Sequence, residues 1–369
     1  MERYVTTAAL LDAPGSLSVE EVAFDGPGEG KVLVRMRAAG VCHTDMHLHN
    51  SDDGWGFDFP MLLGHEGSGV VESVGEGVEH IQVGDHVAIG CRVPCGNCAQ
   101  CRRGQTRRCQ TSSPSAPAVQ RVSNGEPVNS PIGVGLFANL IPVDAQAAIV
   151  VDADVSLDKL ALLGCAVMTG AGAVLNTADV WPGARVAVVG CGGIGLAAVQ
   201  GARAANSRQV IAIDLSEQKL EWARTLGATD TVNGTSEDVV AAVRSLTDGV
   251  GVDFSFEAVG IPMCVEQCIE MLAYGGTATI IGVPQGDASI TVNLGGGPTG
   301  FFKNTNTLTV THGGDGLPAH DLPLYTQMYR DGRLDLDTMV THEVGLTELA
   351  EGFAHMATGD SIRTIVRFD

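Results

Sequence analysis

The sequence predicts an α/β protein of two domains, a β-rich N-terminal part followed by a parallel sheet flanked by helices. Three observations carry that expectation. The chain has 369 residues, more than a single hydrophobic core usually serves. Valine-rich runs broken by glycine, such as 31–38, 69–74 and 85–89, fill the chain to about residue 155, the pattern of short strands joined by turns. From Leu157 onward, short apolar runs alternate with helical stretches, and that alternation means a parallel sheet.

The elements follow in order. Residues 110–133 are polar, rich in Ser, Pro and Asn, and read as a surface loop. Residues 160–177 read as one or two helices, 185–189 as a strand ending at Gly190, and 195–205 as a helix. A second strand covers 210–214, and a helix over 218–226 is closed by Gly227 as its C′ residue. Further strands are expected at 252–256, 277–283 and 308–311. The tail carries a helix at 322–331 and a strand at 364–367.

Charge and cysteine usage narrow the function. The formal net charge is −21, and so acidic a surface repels nucleic acid and anionic membranes, so neither is an expected partner. The longest uncharged stretch, 160–178, is interrupted by Gly164, Gly170 and Gly172 and by Thr169, Asn176 and Thr177, which argues against a membrane span. No long apolar h-region opens the chain, so a cytoplasmic location is expected. The ten cysteines then read as thiolate metal ligands in preference to disulfides.

The run VAVVGCGGIG places a strand directly before Gly190, Gly192, Gly193, Ile194 and Gly195, with a helix after them. Gly190 permits a tight turn, Gly192 lets backbone approach a pyrophosphate, and Gly195 allows close helix–strand packing. The helix N-terminus offers unpaired N–H groups to phosphates. Asp214 ends the next strand, where a carboxylate accepts bonds from the adenosine ribose and repels a 2′-phosphate. NAD is therefore expected over NADP.

Cys95, Cys98, Cys101 and Cys109 follow a C-x2-C-x2-C-x7-C spacing. Four thiolates suit a closed, structural zinc site; an iron–sulfur cluster or unligated thiols are the alternatives. Arg102, Arg103, Arg107 and Arg108 would offset the centre's negative charge. Cys42 in GVCHTD, His65 in GHEGSGVVESVGEGV and Cys165 in LLGC are scattered. Individually, each is as readily a buried thiol or a satisfied histidine.

Together with GDHV, the cysteine lobe, the glycine turn with Asp214 and the terminal SIRT of 361–364, these motifs resemble the zinc-dependent medium-chain alcohol dehydrogenases. The resemblance runs from about Ala38 to the C-terminus. The segment after Cys109 and the run KLEWARTLGATDTVN look like the branch that includes thiol-dependent formaldehyde dehydrogenases. The resemblance implies a GroES-like β catalytic domain over 1–166 and 310–369 and a Rossmann NAD domain over 167–309, with the active site in the cleft between them. It implies two zinc ions per chain, and Cys42, His65 and Cys165 as ligands of the catalytic one, with Glu66 as a transient fourth. Asp45 would fix the tautomer of His65. Thr44 and His47 would relay the proton to solvent. Lys219 would lie near the adenosine ribose, and His43 and Arg363 would face the pyrophosphate. Relatives pair their cofactor-domain sheets edge to edge, so a homodimer or homotetramer is expected.

Cys91 stands where many relatives carry a bulky pocket wall, which implies room for a large or aromatic primary alcohol. Trp55, Phe57 and Phe137 are candidate aromatic walls, with Phe59 in the same loop as Trp55 and Phe57. Three functions compete: a general alcohol/aldehyde oxidoreductase, an S-hydroxymethyl-thiol dehydrogenase to which Arg121 would lend a cationic cup, and a non-catalytic NAD- and zinc-binding protein.

Overall fold

The computed structural model describes residues 2–52, 54–284, 286–295 and 300–368. The chain forms two compact units, one of residues 1–166, 317–327 and 339–369 and one of 167–316 and 328–338. Residues 310–316 and 328–338, expected in the first, pack with the second.

The first unit holds two sheets. Five strands run in the order Met61–Leu62, Arg3–Ala13, Ser16–Asp25, Val119–Arg121 and Pro127–Val128. The last two correct the loop expected over 110–133: Val119 and Val128 bury their side chains and recruit a polar segment into the sheet. The second sheet has seven strands built around Lys31–Val41. That strand is antiparallel to Gly67–Val74, while Leu140–Asp144 and Arg363–Arg367 share its opposite edge. Alternating Val and Leu residues from these strands, with Phe137, Met36 and Leu62, fill the core.

Register decides what comes together. Ala39 pairs with Gly67, Gly67 with Ile89, and Val41 with Thr364. One end of the sheet therefore gathers Cys42, the His65–Glu66 pair, the Gly90–Cys91 turn and Arg363. Four stretches distant in sequence meet there because three ladders lock them.

In the second unit, six strands lie in the order Asp230–Asn233, Gln209–Asp214, Arg185–Val189, Val252–Glu257, Leu272–Ile280 and Thr307–Val310. All neighbours are parallel. In chain order these are third, second, first, fourth, fifth and sixth, the doubly wound arrangement whose ligand crevice opens where the order reverses. Arg185–Val189 and Val252–Glu257 flank that reversal. Asp230–Asn233 escapes a sequence reading because only Val232 of its four residues is buried. No single helix among the described residues is long and apolar enough to cross a membrane.

Candidate functional site

Cys42 follows the central strand of the first unit as the N-cap of helix His43–Asn50. Its sulfur lies 3.8 Å from that of Cys165. The ligand atoms of Cys42, His65 and Cys165 all lie within 4.8 Å of one another. Around one tetrahedral zinc with Zn–S bonds of about 2.3 Å, two sulfurs stand about 3.8 Å apart, so the donor set and its spacing fit that ion. The Cys42 thiol is pulled well below its ordinary range, chiefly by a hydrogen bond from Cys165, and Cys165 is pushed up by the same contact.

Asp45 organises the group from below. Its carboxylate is fully buried and accepts from the Cys42 backbone N–H at 3.1 Å and the Gly64 N–H at 3.0 Å. Its Oδ1 also lies 3.1 Å from His65 Nδ1. A proton held on Nδ1 by this carboxylate leaves Nε2 as the free donor atom, the usual outer support of a metal-binding histidine.

Glu66 is fully buried beside the group. Its Oε2 accepts from the Ala166 N–H at 2.9 Å and its Oε1 stands 3.7 Å from Arg363 Nε. Burial raises its pKa to about 7 against the opposing pull of Arg363. Gly40 makes room for it, since a Cβ there would overlap the Glu66 carboxyl group. Arg363 itself is only 3% exposed, and among the described residues its guanidinium meets Glu66.

Thr44 and His47 lie on the same short helix, both half-buried, and His43 is exposed. The His47 ring meets Trp55 edge-on at 6.3 Å. Trp55 takes a left-handed φ of 56° and is 48% exposed; Phe57 is also exposed. Phe137 lies fully buried in the core, against the glycine face of Gly64. Cys91 places its sulfur 3.8 Å from the Gly164 carbonyl oxygen, next to Cys165 in sequence.

The four cysteines of the lobe also bring their sulfurs within 4.8 Å of one another. Backbone N–H groups point at the sulfurs: Cys98 to Cys95 at 3.3 Å, Cys101 to Cys98 at 3.4 Å and Cys95 to Cys109 at 3.3 Å. Such bonds favour thiolates. The Thr111 hydroxyl and the N–H groups of Asn97 and Cys98 pull Cys95 down to about 6. Arg102, Arg103 and Arg108 are exposed around the lobe, but Arg107 turns away to Asp321.

In the second unit, Gly190 has a φ of 92° at the end of the first strand. A Cβ at Gly195 would overlap the Gly190 carbonyl oxygen, whereas one at Gly192 would meet nothing within 4 Å. Gly192 caps helix Gly193–Ala204, so its open face lies at a helix N-terminus, a cradle a phosphate fits. Ile194 follows in that helix's first turn, half-buried. Asp214 ties itself to the turn, its Oδ2 accepting from the Cys191 N–H at 2.7 Å and its Oδ1 from the Ser216 N–H at 3.0 Å. Lys219 is half-buried in the helix that Ser216 caps. Gly195→Ala is expected to lower both the melting temperature and NAD affinity, the latter at least tenfold by titration, because the turn must open to admit the methyl group.

Glu257 is a residue that sequence reasoning missed. It ends the fourth strand, fully buried, and its Oε1 accepts from Val259 N at 2.8 Å and Gly260 N at 2.7 Å. A carboxylate closing the strand-like alternation VDFSF, three residues before Gly260, was the available signal.

Residues 28–153 match the family model described as the alcohol dehydrogenase GroES-like domain, and residues 193–324 match the zinc-binding dehydrogenase model. The chain is similar to S-(hydroxymethyl)glutathione dehydrogenase of Escherichia coli O1:K1, 37% identical over 98% of this chain and 99% of that one. It is also similar to alcohol dehydrogenase 1 of Trifolium repens, 32% identical over 98% and 96%. The crystal structure of benzyl alcohol dehydrogenase from Acinetobacter calcoaceticus superposes with a TM-score of 0.90, at 29% identity over 99% and 100% of the two chains.

Proposed function

This chain belongs to the zinc-dependent medium-chain alcohol dehydrogenase family, and from that premise we propose that it interconverts a bulky or aromatic primary alcohol and its aldehyde with NAD. The observation that carries the reading is the convergence of Cys42, His65 and Cys165 over the Asp45-held imidazole. When bound, zinc supplies a Lewis acid that lowers the pKa of an alcohol toward neutrality, and the nicotinamide supplies the hydride acceptor.

The chain's own residues do the rest. Cys42, His65 and Cys165 would hold the catalytic zinc, with Asp45 keeping the His65 proton on Nδ1 and leaving Nε2 free as the donor atom. Glu66, balanced against Arg363, would be a further carboxylate donor beside the same group. The Thr44 hydroxyl would accept the alcohol proton while passing its own on toward His47, which would release one to solvent; both residues lie on one short helix. Cys95, Cys98, Cys101 and Cys109 hold the second, structural zinc.

Gly190, Gly192, Gly193, Ile194 and Gly195 cradle the pyrophosphate at the helix N-terminus. Asp214 and Lys219 hold the adenosine ribose. Asp214→Gly is expected to cut kcat/KM for NAD at least tenfold while raising that for NADP, since the carboxylate both binds the ribose hydroxyls and repels a 2′-phosphate. Steady-state kinetics with both cofactors checks it.

The substrate class rests on Cys91, a small side chain beside Gly164 and Cys165. Trp55 and Phe57 offer aromatic surface, whereas Phe137 is fully buried against Gly64 and does not. The relative that acts on benzyl alcohol by name is consistent with it. The thiol-adduct reading draws on the 37% identical relative. It loses its cationic cup, however, because Arg121 is already neutralised by Asp12, Glu20 and Glu126.

A homodimer or homotetramer belongs to the same proposal, supported by the edge strand Thr307–Val310 with Val310 exposed. So does a cytoplasmic location, supported by ten cysteines with no disulfide among them. The deciding experiment follows NAD reduction with ethanol, benzyl-type alcohols, and formaldehyde with and without a low-molecular-weight thiol. The proposal expects the highest kcat/KM with benzyl-type alcohols. Preference for ethanol, or formaldehyde turnover only with thiol, contradicts it.

A further inference from the structure

Arg107 sits in the turn Thr106–Arg108, which immediately precedes Cys109, the last cysteine of the lobe. Its guanidinium makes a two-pronged pair with Asp321, Nη1 to Oδ2 at 2.6 Å and Nη2 to Oδ1 at 2.9 Å. Asp321 is fully buried. Its Oδ2 also accepts from the Leu317 N–H at 2.7 Å, and its Oδ1 lies 2.7 Å from His320 Nδ1. The carboxylate thereby ties the lobe to the first turn of helix Pro318–Arg330.

That first turn leads back toward the metal-ligating group. Pro318 lies on Gly90, where an added Cβ would come within 2.7 Å of its Cγ. The next residue, Cys91, touches the Gly164 carbonyl, and Gly164 precedes Cys165. A second thread runs in parallel, since the buried Arg92 donates to the Arg107 carbonyl oxygen at 3.4 Å. All these residues belong to the first unit.

The lobe has nothing apolar to hold it in shape. Of residues 95–109, only Cys101 and Cys109 are buried. Its conformation, and with it the position of Arg107, depends on the four sulfurs being drawn together by a metal. A buried carboxylate that loses its guanidinium partner is destabilised, so the helix turn that carries Asp321 loosens when Arg107 departs, even with the Leu317 N–H and His320 still beside it.

We propose that the Arg107–Asp321 pair is a latch through which the metal-bearing state of the four-cysteine lobe fixes the Gly90–Cys91 turn against Gly164 and Cys165. Arg107 and Asp321 are positioning residues, acting through Pro318 and Arg92. The proposal rests on the reading of the two cysteine groups as zinc sites.

Hydrogen–deuterium exchange with mass spectrometry on the zinc-loaded full chain tests it. Asp321→Asn is expected to speed exchange at least tenfold in peptides covering 95–109 and also in those covering 89–92 and 164–166. Peptides over 185–214 stay unchanged. Cys101→Ser, which empties the lobe, gives the same rise at 89–92. Arg107→Lys keeps the charge but not the fork, and it gives a smaller rise at both places. It also keeps the test readable if Asp321→Asn does not fold. A rise confined to 95–109, or no rise anywhere, overturns the latch. The zinc content of the unaltered chain, two per chain or fewer, reports separately on the underlying reading.

Discussion

Cys165→Ser and His65→Ala each lower kcat/KM by about a thousandfold or more, equivalent to about 4 kcal/mol of transition-state stabilisation, while the chain stays folded. The first exchange is nearly isosteric but replaces a soft sulfur by a hard, far less acidic hydroxyl, a poor ligand for zinc at neutral pH. The second removes the one nitrogen donor and leaves Asp45 without the imidazole it steers. Neither change touches the apolar core of the first unit, which is built from strand side chains such as Met36, Leu62 and Phe137. Steady-state kinetics together with circular dichroism separates the two effects: activity falls and the folded signal persists. Full turnover in a His65→Ala protein lacking the catalytic zinc contradicts the assignment.

Cys101→Ser carries the second large effect, on stability. The closed thiolate site supplies folding free energy on the order of 10 kcal/mol in small zinc modules, and here only Cys101 and Cys109 of residues 95–109 are buried. Loss of one ligand is expected to release the zinc of the lobe and to raise proteolytic cleavage within 95–109 by about a hundredfold. Zinc content falls from two to one per chain. Limited proteolysis with mass mapping reads the first outcome and metal analysis the second. A lobe that stays protected without its metal removes the structural role from this zinc.

Much of this architecture was legible before any coordinates. The Rossmann half announces itself because its central strands are buried on both faces and read as continuous apolar runs, as in 185–189 and 210–214. Gly190 marks the turn by its left-handed φ and Gly195 by having no room for a Cβ, whereas Gly192 stays open toward a ligand. The cysteine lobe is legible from spacing alone. The catalytic group was less so, because no local pattern links Cys42, His65 and Cys165; their meeting depends on strand register. Family resemblance supplied what periodicity could not.

Other features stayed hidden for physical reasons. Val119–Arg121 and Pro127–Val128 are too short and polar to carry a periodic signal, and their sheet membership comes from one buried valine each. Helix Pro318–Arg330 begins four residues earlier than residue 322 suggests, because Pro318 suits a first helical position. The Asp321 carboxylate then accepts the Leu317 N–H. Pro323 lies within that helix, as it does in the expected 322–331.

A crystal structure of the purified chain with anomalous data at the zinc edge tests the central claim most directly. The account predicts two anomalous peaks per chain. One lies about 2.3 Å from the sulfurs of Cys42 and Cys165 and about 2.0–2.1 Å from His65 Nε2, with one coordination position not filled permanently by protein. The other lies among Cys95, Cys98, Cys101 and Cys109. An absent first peak, or one closed off by a fixed fourth side chain even with substrate bound, contradicts it.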